Sequence, residues 1–126
     1  LVRKLKTSIT SEIDLVKKKV ATITQTHAVE ILQNLQVDVV TTPTFAEAVL
    51  LLQKGDVAAV VSDAPVVEHY VREHPDEKVD ITGDVFDLHH LCFAVTDKNP
   101  LREEVNRALL HLKESGAYDE MHKKWF

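Results

Sequence analysis

Two short polar clusters interrupt apolar runs where chemistry could be done: Thr24-Gln25-Thr26-His27 and Ser62-Asp63. The first lies between a β-rich run and the start of a helical pattern. Free backbone N–H groups and the helix dipole favour an anion at such a place, and Thr26 adds a hydroxyl donor. The plainer reading makes Thr26 only an N-cap, since cap and anion site use the same geometry. Asp63 follows an apolar run directly, so its carboxylate stands where it could hold an ammonium group. The charged hydrogen bond would contribute roughly 1.5–3 kcal/mol. Here too the alternative is a cap, because Asp63-Ala64-Pro65 is a good helix start.

The elements that position these clusters are well punctuated. Lys19 to Thr24 (KVATIT) reads as a strand. His27 to Leu35 reads as a helix, with Ala28, Ile31, Leu32 and Leu35 on one face. Val37 to Val40 is a second strand. Thr44 and Glu47 form a capping box that opens the next helix, Phe45, Ala48, Val49 and Leu52 line its apolar side, and Gly55 stops it. Val57 to Val61 is apolar without alternation, as expected of a parallel strand covered on both faces. A third helix runs from Ala64 to Glu73, ended by His74-Pro75.

If the strand order begins second-first-third, the first and third strands are neighbours whose following loops diverge. The carboxyl ends of such strands frame a ligand crevice. An anion site at Thr24 to His27 would then face a cation site at Ser62-Asp63, an arrangement suited to a zwitterion such as an amino acid.

Beyond this unit the pattern changes. Val79 to Thr82 and Leu88 to Thr96 read as strands with no helix between them, so one is expected to run antiparallel. Asn99-Pro100 opens a long helix with an apolar stripe of Leu101, Val105, Ala108, Leu109 and Leu112, and Gly116 stops it. A final short helix carries Tyr118, Met121 and Trp125. Leu1 to Asp14 is mixed and polar and reads as a connector.

Composition narrows the function classes. The 126 residues suffice for one core, and 44% apolar with 28% charged residues is an ordinary globular balance. A net charge of −5 argues against a nucleic-acid partner, which needs a clustered basic surface. The single cysteine, Cys92, excludes an internal disulfide and is expected to be a buried small hydrophobe. The seven histidines show no tight metal-ligand spacing. Phosphate-loop, dinucleotide and serine-nucleophile motifs are all lacking, so neither a cofactor nor catalysis is expected. No signal peptide or apolar span is visible, which leaves a cytoplasmic chain or a piece of a longer one.

The blocks VATITQTHAVEIL, TFAEAVLLLQKG, DVAAVVSDAPVVEHYV, LCFAVTDKNP and LHLKESGAYDEMHKKWF follow one another from Ile9 to Phe126. In order and spacing the chain resembles the amino-acid-binding family 3 solute-binding proteins, whose superfamily includes the ligand cores of ionotropic glutamate receptors. The resemblance implies a periplasmic-binding-protein-like lobe, a three-layer α/β/α with a mixed, mostly parallel five-stranded sheet. Residues 1–98 would be the second lobe of a clamshell with an N-terminal connector. Residues 99–126 would be helices that pack on an absent first lobe, which would carry the arginine that grips the ligand α-carboxylate. Asp63 matches the acidic residue that holds the α-ammonium, and Thr26 and His27 match the hydroxyl pair that binds an anionic group. Thr24, Gln25 and Ser62 complete the implied site. Two residues depart from the family pattern: Gln25 stands where glycine is usual, and His27 where a hydroxyl is usual.

By the same resemblance the ligand is a small amino acid and the protein acts on the periplasmic or extracellular face of a membrane. Leu5 to Leu15 (LKTSITSEIDL) is similar to the segment that follows the pore in prokaryotic glutamate-receptor-like channels, whereas Leu1 to Lys4 also resembles the strand that opens this lobe in free receptors. A ligand-gated channel or sensor is therefore expected, with the binding component of an ABC amino-acid importer as the alternative. Its partner is accordingly a pore or a permease. Enzymes of similar fold need an acid/base pair, for which only Asp63 and His27 are available, and no enzyme is expected. Without its partner lobe, the stripe from Leu101 to Leu112 gives the fragment a route to homodimers.

Overall fold

The computed structural model describes residues 1–3, 8–90 and 92–125. The chain divides into two compact units, Leu1–Leu88 and His89–Phe126.

In the first unit five strands form one sheet: β1 (Val2–Arg3), β2 (Lys19–Ile23), β3 (Asp38–Thr42), β4 (Ala59–Val60) and β5 (Val79–Asp80), in the order β3-β2-β4-β1-β5. β2 pairs parallel with β3 over five residues and with β4 through Val20↔Ala59 and Ala21↔Val60. The second-first-third order of the three parallel strands, on which the crevice reading is conditional, is the one observed. β1 is antiparallel to both β4 and β5. The expected antiparallel strand therefore comes from the N-terminus, not from Leu88 to Thr96. Among the described residues 88–96 none is in a strand, and Cys92 is exposed, not buried. Val2 and Arg3 occupy the sheet position between β4 and β5. The segment taken for a connector also contains a 3-10 turn, Glu12–Leu15. The Asp14 carboxylate accepts from the amides and hydroxyls of Thr10 and Ser11, and these bonds hold its carboxyl below the usual range.

Three helices cover the sheet: α1 (His27–Asn34), α2 (Phe45–Lys54) and α3 (Ala64–Glu73). Alternation along the strands decides which face each covers. Ala21, Val60 and Val79 pack with Phe45, Ala48, Val49 and Leu52 of α2 and Val67 of α3. Val20, Ala59 and Val2 point the other way, to Leu32 of α1, Ile9 and Leu15. This is the predicted three-layer α/β/α architecture. α2 starts where Thr44 Oγ1 accepts from Glu47 N–H at 3.3 Å, the first half of the expected capping box. It stops at Gly55, whose φ of 87° suits a residue without a Cβ. The far end of α3 is clamped to α2 by Glu77, which accepts from Tyr70 Oη at 3.0 Å and from Gln53 Nε2 at 2.9 Å. Burial, together with the Glu77 carboxylate, pushes the Tyr70 hydroxyl up to about 12.

The second unit holds α4 (Leu101–Glu114) and α5 (Ala117–Trp125), separated by Gly116 at φ 78°. Leu101 N–H donates to Asn99 Oδ1 at 3.0 Å, the predicted cap. Neither helix buries a residue, and Leu101, Leu110, Tyr118, Met121 and Trp125 are exposed.

Two buried threonines in neighbouring strands differ in a way that stability can read. Thr42 Oγ1 donates to Thr44 O at 2.9 Å, whereas Thr22 Oγ1 is fully buried and has no hydrogen-bond partner among the described residues. An unsatisfied buried hydroxyl costs about 1–3 kcal/mol. Thr22→Val should therefore raise unfolding free energy by about 1 kcal/mol, and Thr42→Val should lower it by a similar amount. Denaturant unfolding of the two variants checks this, and equal losses in both would contradict it.

Candidate functional site

The six residues singled out in the sequence all lie just beyond the carboxyl ends of β2 and β4. Ladder bonds hold these neighbouring parallel strands together as far as Val61, whose N–H donates to Ala21 O at 3.0 Å. β2 then stays with β3, Thr24 N–H donating to Thr42 O at 2.9 Å, while β4 leads away into α3. The chain from β2 goes through α1 to β3 on one side. From β3 it returns through α2, on the opposite face, to β4 on the other side. β2 and β4 therefore flank the point where the winding reverses, the place where open α/β sheets form a crevice at their carboxyl ends.

At the first tip the N-terminus of α1 is not closed by a side chain. Thr26 precedes the helix with extended dihedrals, but its hydroxyl donates back to Ile23 O at 2.7 Å and caps no amide. The N-terminal amides of α1 have no acceptor within the helix. Gln25 turns the chain with φ of 59°, a left-handed conformation that glycine adopts readily and other residues adopt at a cost. This explains in physical terms why glycine would suit the position. Thr24, Gln25 and His27 are exposed and Thr26 is half-buried.

At the second tip Ser62 is half-buried and Asp63 exposed. Asp63 precedes α3 and its backbone carbonyl accepts from Val66 and Val67 N–H, yet its carboxylate makes no capping bond. The cap reading thus fails for the side chains of both Thr26 and Asp63.

His27 is more engaged than a solvated first-turn residue. Its Nδ1 lies 3.3 Å from Glu30 Oε2 and its Nε2 lies 3.1 Å from Asp87 Oδ2. Asp87 was not legible as a neighbour, because it is 60 residues away in sequence. Contacts of the intervening segment bring it close: Thr82 Oγ1 donates to Ile9 O at 2.9 Å, and Gly83, at φ 75°, lies against Thr10 O. A Cβ on Gly83 would come within 3.1 Å of that oxygen. The sequence signal was Gly83 itself, a turn residue before an acidic pair. A groove of about 340 Å3 runs along the outer side of α1, lined by Glu12, His27, Ile31, Leu35, Phe86 and Asp87 among others. Of the six residues only His27 touches it.

The left-handed Gln25 gives a direct test of the tip. Gln25→Gly should leave the fold unchanged and raise its stability by up to about 1 kcal/mol, the relief of left-handed strain exceeding the added chain entropy of glycine. A clear loss in denaturant unfolding would contradict this and show that the glutamine side chain holds the turn.

Comparison with known proteins agrees with the fold. Residues 5–126 match the bacterial extracellular solute-binding proteins, family 3. The chain is 35% identical to an ancestral arginine-binding protein bound to glutamine, with TM-score 0.76, covering 99% of this chain and 57% of that one. It is 34% identical to the GluR0 ligand-binding core from Nostoc punctiforme in complex with L-glutamate, with TM-score 0.75, covering 99% and 58%. Domain 2 from TmArgBP is 30% identical, with TM-score 0.59, over 67% of this chain and 91% of that one. The chain thus spans little more than half of the ancestral arginine-binding protein and of the GluR0 core. With residues 5–126 matched, the chain belongs to the bacterial extracellular solute-binding proteins, family 3.

Proposed function

We propose that this chain is one lobe of an extracytoplasmic amino-acid-binding clamshell, and that the tips of β2 and β4 are its share of the site. The observation that carries the reading is the pairing of those two strands at the reversal of winding. β2 leads into an uncapped helix N-terminus, and its neighbour β4 leads into a carboxylate that no cap consumes. Thr24, Gln25, Thr26 and His27 meet the ligand's anionic group, and Ser62 and Asp63 take its ammonium. The relatives bound to glutamine and to glutamate support an amino acid as the guest.

The C-terminal helices, residues 99–126, belong in this reading with the other lobe. The isolated domain 2 of TmArgBP supports this, since it matches 67% of the chain, close to the share of the Leu1–Leu88 unit. The bare apolar residues of α4 and α5 support it as well.

Closure on a ligand bound more tightly in the closed form is a population shift, and it can do work on whatever is attached. The similarity to the GluR0 core supports a ligand-gated channel or sensor of the membrane. The similarity to the arginine-binding protein supports the receptor of an amino-acid importer. Apolar spans encoded beside this segment in the full gene select the channel; a lobe and a secretory signal without spans select the importer. Neither requires catalysis.

In the two-lobed protein, Asp63→Ala should weaken amino-acid binding by about 2 kcal/mol or more, the loss of a charged hydrogen bond. Isothermal titration calorimetry measures it, and an unchanged affinity removes Asp63 from the site.

A further inference from the structure

Two carboxylates meet the ring of His27 at the start of α1. Glu30 Oε2 lies 3.3 Å from Nδ1, and Asp87 Oδ2 lies 3.1 Å from Nε2. A neutral imidazole has a proton for only one of its nitrogens. With that proton on Nδ1, toward Glu30, the Nε2 lone pair faces a carboxylate oxygen. A second proton or a metal ion turns that contact from repulsive to attractive. His89 favours the metal. Only Leu88 separates it from Asp87 in the chain, and the ligand atoms of His27, Asp87 and His89 all lie within 4.8 Å of one another. A shared proton needs two partners, whereas a metal ion gathers three or more.

Two imidazoles and a carboxylate suit a divalent transition metal such as zinc, with the fourth position of a tetrahedron left to water. Ligand atoms about 2.1 Å from such a metal stand about 3.4 Å apart. His27 Nε2 and Asp87 Oδ2, at 3.1 Å, are already near that spacing. All three side chains are exposed, so small rotations can bring His89 to the same centre. Glu30 supplies the outer partner that a metal-bound histidine usually has. A carboxylate on Nδ1–H fixes the tautomer and makes Nε2 a better ligand. The segment that carries Asp87 is held near α1 by Thr82 Oγ1 on Ile9 O and by Gly83 against Thr10 O.

We propose that His27 Nε2, Asp87 Oδ2 and a ring nitrogen of His89 form a binding site for a divalent transition metal ion of the zinc class. Spacing along the chain conceals it, because His27 opens α1 whereas the other two ligands lie beyond β5. The metal draws on the His27 ring, and an anion at the strand tip draws on backbone amides, so the two roles use different atoms of one residue. The site does not depend on the amino-acid reading: a bound ion ties the start of α1 to the segment after β5, whatever the clamshell holds.

Calorimetric titration of the two-lobed protein with zinc chloride, without amino acid, tests this. One zinc should bind at this site, with nickel competing and excess magnesium not competing. His89→Ala and Asp87→Asn should each weaken zinc binding about tenfold or more. His90→Ala and Cys92→Ser, which alter side chains outside the set, should leave it unchanged. Unfolding midpoints measured without zinc show that each variant keeps its fold. Absence of zinc binding overturns the proposal. So does binding that His89→Ala and Asp87→Asn do not move, or that Cys92→Ser abolishes. Amino-acid binding is titrated separately with zinc chelated, so a failure of that reading is distinguished from a failure of this one.

Discussion

The fold depends most on the parallel pairing of β2 with β4. It is short, with Val20 opposite Ala59 and Ala21 opposite Val60, and all four residues are buried. Because side chains alternate along a strand, the pair Val20 and Ala59 faces one side of the sheet and the pair Ala21 and Val60 the other. That commits both faces to helices and leaves only the strand ends open to solvent and to chemistry. Reversal of the winding between these strands sends α1 and α2 to opposite faces, the topology at which open α/β sheets form a crevice. A slip of one residue in this register would turn Ala21 and Val60 away from α2, so the core and the site are specified together.

This arrangement gives polar groups at the tips a freedom they rarely have in a packed domain. Thr26 and Asp63 are both suited to cap helices, and neither side chain does so. At the opposite end of α3, by contrast, the polar groups are consumed by structure. Tyr70 stacks on His74 with ring centroids 4.2 Å apart and meets Phe45 edge-on at 5.2 Å, while Glu77 accepts from its hydroxyl. At the tips, by contrast, the first amides of α1 and the Asp63 carboxylate are not taken up by side-chain caps. A single lobe offers only half the contacts of a closed clamshell, so the proposed function belongs to the protein that supplies the other half.

Most of this was legible in the residues. The cap at Thr44, the stop at Gly55 and the unbroken apolar run before Ser62 define β-α-β punctuation that local physics enforces. The strand order did not follow from it and entered only as a condition. What was not legible depended on contacts distant in sequence. Two residues, Val2 and Arg3, carry too little pattern to announce a strand, yet the sheet takes them between β4 and β5. The apolar stretch ending at Thr96 looked more like a strand than they did, but residues 88–90 and 92–96 pair with nothing in the sheet. Cys92 went with it, exposed because burial was inferred from composition without a partner to bury against. Asp87 reaches His27 only because Gly83 and Thr82 dock on the segment around Thr10, a contact that no local spacing encodes.

The central claim is that the two tips grip opposite charges of one amino acid. A crystal structure of the two-lobed protein with its amino acid bound tests it most directly. The ligand ammonium should lie about 3 Å from the Asp63 carboxylate, and a ligand anionic oxygen about 3 Å from the amides of Gln25 to His27. A ligand that is bound between the lobes but touches only one of these tips, or neither, would contradict it.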